Sequence, residues 1–142
     1  MAITRLNRRD NQKLHQFLDG VGGTAENRID FAANPACSGD VVQLMDIPNG
    51  ALVKTVRTRI ATAEGGTATA DLGDANDPNG WNDAVNLNAT AAVIEITRDA
   101  DPYYAGRAFE VADVLDMTLD HDMDTGIVDV FMDYVMIERY AP

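Results

Sequence analysis

The chain has 142 residues, one cysteine, 46% hydrophobic residues and a formal net charge of -12. That length suits a single domain able to bury roughly two thirds of the surface its unfolded form exposes, with no disulfide or metal needed to hold it; Cys37 alone excludes an intrachain disulfide and suits a reducing cytoplasm. No apolar run approaches the length of about 18 residues that spans a membrane, and none follows the basic start, so the sequence predicts a soluble chain without a membrane segment or export signal.

The charge is unevenly spread. Residues 1–70 carry 8 basic and 7 acidic side chains, residues 71–142 carry 3 and 16, so the two parts hold +1 and -13. Such a surface repels a phosphate backbone and argues against nucleic acid as the main partner. The exception is the beginning, where Arg5, Arg8, Arg9 and Lys13 supply four of the eleven basic residues. Leu6, Leu14, Phe17 and Leu18 are spaced there for a short amphipathic helix or an extended arm, ended by Gly20, Gly22 and Gly23. Residues 1–20 are therefore read as a basic N-terminal arm suited to an acidic surface, and 21–142 as the folded domain.

From residue 28 the apolar period changes to two. The runs at 28–31, 40–47, 51–62 and 67–72 are rich in β-branched residues and bounded by turn formers, which predicts strands. In the longest, Leu52, Val56 and Ile60 are expected on one face with Lys54, Thr58 and Thr62, and Arg57 and Arg59 on the other. Pro48-Asn49-Gly50 and Pro78-Asn79-Gly80 read as turns, and Glu64-Gly65-Gly66 as a hairpin tip. Further strands are predicted at 91–98, 107–111, 113–120 and 126–140. The last places Val128, Val130, Met132, Tyr134 and Met136 on one side, and Asp129, Phe131, Asp133, Val135 and Ile137 on the other. Many short strands with Gly, Pro and Asn turns predict an all-β fold, a β-sandwich or jelly roll with an N-terminal arm or short helix.

Two acidic stretches invite a metal reading. In 71–83, DLGDANDPNGWND, an EF-hand needs oxygen donors at the first, third and fifth loop positions. Counting from Asp74, Pro78 falls on the fifth; counting from Asp71, Gly73 falls on the third, so both registers fail. The alternative is a structural loop in which Asp and Asn close Asx-turns and Trp81 anchors the segment. Asp120-His121-Asp122-Met123-Asp124 converges on an ion only if it forms a tight loop, and Thr125-Gly126 suggests a hairpin connection. Neither stretch identifies a metal site, and no cofactor is expected. Ser38 is the one serine and stands in no Gly-x-Ser-x-Gly elbow, and no glycine-rich loop precedes Gly-Lys-Thr, so the expectation is a protein that is not an enzyme.

Residues 51–90, and in particular TAEGGT (62–67), ATADLGD (68–74), DPNGW (77–81) and VNLNA (85–89), together with the acidic C-terminal strand, resemble small virion structural proteins of tailed bacteriophages, of the head decoration or cement type. The resemblance implies a β-sandwich on the outer surface of a capsid lattice, near threefold or quasi-threefold positions, with the major capsid protein as partner and self-association as a homotrimer. It implies no catalytic residue, no direct contact with nucleic acid or membrane, and a place on the virion exterior after assembly in the host cytoplasm. With the charge pattern, Arg5, Arg8, Arg9 and Lys13 become the candidate capsid-binding arm, and Arg57, Arg59 and Trp81 candidate interface residues. Competing readings are a carbohydrate- or calcium-dependent binding module, with Trp81, Tyr103 and Tyr104 as an aromatic platform, and a tail or collar component.

Overall fold

The structure, a computed structural model, describes residues 22–89, 94–98 and 100–137, and the backbone of 3–5. The described residues form ten strands and no helix: β1 (Ile3–Arg5), β2 (Gly22–Asp30), β3 (Val41–Ile47), β4 (Ala51–Thr62), β5 (Thr69–Gly73), β6 (Asn82–Asn86), β7 (Ile94–Ile96), β8 (Arg107–Phe109), β9 (Asp113–Leu119) and β10 (Ile127–Met136). They build two sheets. The first has the order β1-β3-β9-β5-β6, the second β2-β10-β4-β7 with β8 also on β4. All pairings are antiparallel except β1 with β3. No helix among the described residues is long and apolar enough to cross a membrane. The architecture is a β-sandwich, as the alternating pattern predicts.

The core lies between the sheets. Val42, Leu44, Ile47, Leu72, Leu115 and Met117 from the first sheet meet Ile29, Val56, Ile60, Val128, Val130 and Met132 from the second, all essentially inaccessible. β10 shows the predicted alternation, with Val128, Val130, Met132, Tyr134 and Met136 inward. Its register runs along β2 on one side and β4 on the other, which makes it an interior strand of its sheet.

The structure departs from the expected faces of β4. Val56, Thr58 and Ile60 point inward, but so do Ala51 and Val53, whereas Leu52 and Lys54 point outward. The cause is a bulge: Asp133 pairs with Thr55 and Tyr134 with Val53, so Lys54 is an extra residue that shifts the pleat by one. The bulge sits where β4 changes partner, since β8 pairs with residues 51–53 and β7 with 57–59. Thr97 fills the gap. Its Oγ1 accepts the Val56 N–H at 3.0 Å, and its own N–H donates to the Val56 carbonyl at 3.1 Å.

Two predicted hairpins are also corrected. β4 and β5 belong to different sheets, so Glu64-Gly65-Gly66 is a crossing between layers and not a hairpin tip. The same holds for 120–126 between β9 and β10. The crossings are tied together: the Glu64 carboxylate accepts N–H groups from Asp124, Thr125 and Gly126 at 2.9 to 3.1 Å. A pleat pattern identifies which face of a strand is apolar, but both sheets present apolar faces to one core.

Candidate functional site

The stretch 71–83 folds as a clasp on the first sheet. Asp74 Oδ1 accepts the N–H groups of Asn76 and Asp77, each at 2.9 Å, which closes an Asx-turn. Gly80 N–H donates to the Asp77 carbonyl at 3.0 Å, placing Pro78 in the second position of a β-turn. The turn lies over Gly73, where a Cβ would collide with Asp77 and Pro78. β6 begins directly after Trp81, so a segment expected to be loop throughout contains the start of a strand. A bulge in β6 puts Ala84 at φ 57, and Asp71 Oδ1 accepts its N–H at 2.8 Å.

Trp81 is fully buried. Its ring meets Tyr103 edge-on at 5.0 Å, and Tyr103 is buried too, so Tyr104 is the exposed member of the aromatic trio and no platform forms. Trp81 thus acts as the anchor of the clasp and offers no surface to a partner. The Tyr103 hydroxyl donates to Asp74 Oδ1 at 3.1 Å, and burial with the adjacent Asp74 carboxylate pushes its pKa up to about 12. Arg107 lies 4.8 Å from the Tyr103 ring and 5.2 Å from the Phe109 ring, with Nε 3.4 Å from Asp74 Oδ2. Asp74 is structural: its side chain is inaccessible and holds a turn, a tyrosine and an arginine.

On the outer face of the same sheet Asp116 of β9 stands opposite Gln43 of β3 and, on its other side, Gly73 of β5. Asp116 Oδ1 and Gln43 Oε1 are both buried and lack a hydrogen-bond partner. Burial, then the charges of Asp113 and Asp74, push the Asp116 pKa up to about 6. No sequence pattern signals this pair.

The outer face of the second sheet carries an ionic ladder. Asp129 of β10 accepts from Arg28 Nε at 2.7 Å and from Arg59 Nη1 at 2.9 Å; Asp133 takes both Nε and Nη2 of Arg57 at 3.0 Å, and Thr24 Oγ1 at 2.7 Å. The Arg28 hydrogen bond is the largest cause holding Asp129 below the usual carboxylate range. Arg57 also lies 5.3 Å from the Phe131 ring. Ile94 and Ile96 of β7 sit beside the ladder, opposite Arg59 and Arg57 and half exposed. The predicted pair Arg57 and Arg59 is therefore brought together on one face, with its charge balanced by acids of the neighbouring strand. The signal for Asp129 and Asp133 was their period-two spacing, but their partners depended on register.

Of the basic arm, Arg5 belongs to β1 and is in register with Gln43. Arg8, Arg9 and Lys13 lie outside the described residues. In the second acidic stretch, His121 Nδ1 is 2.7 Å from Asp120 Oδ1 and its Nε2 is 3.1 Å from Thr67 Oγ1. Asp122 Oδ1 accepts the Ser38 N–H at 2.8 Å, and Ser38 Oγ donates to the Asp120 carbonyl at 3.0 Å. These side chains tie loops together. Among the described residues no group of three or more His, Cys, Asp or Glu is placed to hold a metal ion.

No protein-family model matches the chain, and no curated protein matches its sequence. Solved phage capsids contain chains of this fold. A chain of the capsid of Ralstonia phage GP4 is similar over 97% of this chain and 100% of its own length, with TM-score 0.69 and 15% identity. One from the acidic stable capsid of Helicobacter pylori bacteriophage KHP30 matches 85% of this chain and 92% of its own, with TM-score 0.63 and 12% identity. One from the cyanophage Pam1 capsid asymmetric unit matches 86% and 89%, with TM-score 0.61 and 18% identity.

Proposed function

We propose that the protein is a structural component of a phage virion that binds the outside of the capsid lattice and stabilises it. The observation that carries this reading is the likeness in both directions to a chain of a phage capsid, 97% of this chain against 100% of the other. A match of that extent concerns the whole sandwich and not a shared motif. The described surface fits a building block: Asp120, Asp122 and Glu64 tie loops together, and Arg28, Arg57 and Arg59 form cross-strand ion pairs.

The proposed partners are the major capsid protein and further copies of the chain, arranged as a homotrimer on the capsid exterior after assembly in the host cytoplasm. A body of 15.4 kDa has limited area for any one contact, and a stable interface buries about 1,000 Å² or more. The basic arm, with Arg5, Arg8, Arg9 and Lys13, adds area and charge complementarity to an acidic support, and simultaneous engagement of body and arm raises avidity. Arg57 and Arg59 lie on the body face offered to a neighbour.

Co-sedimentation with capsids lacking the protein tests this. Saturable binding at hundreds of copies per particle, with capsids that withstand heat better when loaded, is the expected result. A handful of copies would indicate a tail or collar part. Absence of binding together with a calorimetric signal for calcium or sugar would replace the proposal by a binding module. Because β1 pairs with β3, the arm is tested by Arg8→Ser, Arg9→Ser and Lys13→Ser together, which leaves that strand intact.

A further inference from the structure

The cleft of about 570 Å³ beside β8 is lined by Arg107 together with Glu110 and Asp113, so it selects neither a cation nor an anion. The ladder on the second sheet sets three arginines against two aspartates, and every one of those side chains is already held in an ion pair. The pair at the centre of the first sheet differs, because it is left chemically incomplete. Gln43 and Asp116 are directly opposed on antiparallel strands, so their side chains leave the same face with Cβ atoms about 5 Å apart. Each turns a buried oxygen toward no donor. Two acceptors cannot satisfy one another, and a buried polar atom without a partner is costly.

Among the described residues the surroundings offer no remedy. Gly73 on the far side of Asp116 has no side chain, and the clasp over Gly73 keeps water from that flank. Among the described side chains, the charged groups around Asp116 are Asp113 on its own strand, Asp46 of β3 opposite Val114, Asp74 from the clasp with its partner Arg107 of β8, and Asp71 of β5 opposite Thr118. A bulge in β3 immediately after Gln43 fixes which residue faces Asp116.

We propose that Gln43 and Asp116 hold a proton between them in the folded protein, Asp116 donating as a neutral acid to Gln43 Oε1, and that its loss switches the outer face of this sheet from a neutral to a charged form. One O–H satisfies both orphan oxygens. On deprotonation the proton passes to solvent, no other covalent bond changes, and a carboxylate is left facing an amide oxygen beside Asp113 and Asp74. The device is independent of the virion reading, since it acts on the stability of the fold itself.

The sign follows from the carboxyl's pKa, about 6 when folded against 3.8 for an unshifted aspartate. A raised carboxyl contributes stability below 3.8 that is lost as pH rises toward 6. The test is urea unfolding of the full chain at pH 4 to pH 8, wild type against Asp116→Asn, whose amide donates to Gln43 at every pH. Asp71 titrates in both proteins, so the difference isolates Asp116. The wild-type unfolding constant should rise relative to the variant by on the order of fiftyfold across that range. The Asp116 carboxyl carbon, followed by NMR in the folded chain, should titrate near 6. Parallel pH profiles for the two proteins, or a carboxyl that titrates at 3.8 or below, would overturn the proposal; a glutamine that turned its amide nitrogen to an ionised Asp116 would give that result.

Discussion

Gly80→Ala is the sharpest perturbation of the clasp. Gly80 is buried in the turn, and a Cβ built there stands 2.6 Å from Cδ2 and 2.7 Å from Cζ of Tyr103, closer still to Cε2. Carbon atoms pack at about 3.5 to 4.0 Å, so the ring must retreat by about 1 Å. It has little room: Trp81 lies edge-on at 5.0 Å, Arg107 stacks at 4.8 Å, and the hydroxyl holds Asp74 at 3.1 Å. Overpacking of this kind costs about 1–3 kcal/mol, and weakening the tyrosine-carboxylate bond adds about 1 kcal/mol. The expected loss is about 2–4 kcal/mol, or a fall in Tm of roughly 5–15 °C for a chain of this size. Urea unfolding can be followed by fluorescence of Trp81, the single tryptophan. In a double-mutant cycle with Tyr103→Ala, the Gly80→Ala change should become nearly neutral, because the atoms it collides with are gone. A loss below about 0.5 kcal/mol for Gly80→Ala alone, or simple additivity with Tyr103→Ala, would refute the steric account.

Ala84 occupies the left-handed region at φ 57, so Ala84→Gly, which keeps the N–H donated to Asp71, should stabilise the fold by about 0.5–1 kcal/mol, read from the urea midpoint. Asp129→Asn leaves Arg28 and Arg59 without their shared anion. On a surface this exposed the expected loss is about 1 kcal/mol at pH 7. Since the Asp129 pKa is lowered, its contribution is present above 3.8 and fades as pH falls further, so the wild-type and variant curves should converge in acid. Glu64→Ala removes the common acceptor of three backbone N–H groups, and the amides of Asp124, Thr125 and Gly126 should exchange with solvent faster while those of β10 keep their protection.

Much of the fold was written locally. The alternation of β10, the β-branched content of β3 and β9, and the proline-glycine turns are properties of adjacent residues, and the pleat makes them legible because side chains change sides at every step. The failure of the EF-hand spacing and the anchoring of 71–83 by Trp81 were readable in the same way.

What neighbours do to one another was not. Whether β4 and β5 share a sheet, why Leu52 and Val56 part company at Lys54, and which carboxylate each arginine finds depend on register between strands 40 to 100 residues apart in sequence. The glutamine opposite Asp116 shows the limit most clearly. In sequence these are one polar residue in each of two strands; in the sandwich a bulge, a side-chain-free glycine and the fold of the clasp close around them. Apolar periodicity is set by the pleat of one strand, whereas pairing, burial of a charge and the partner it meets are set by contacts that exist only once the two layers have closed.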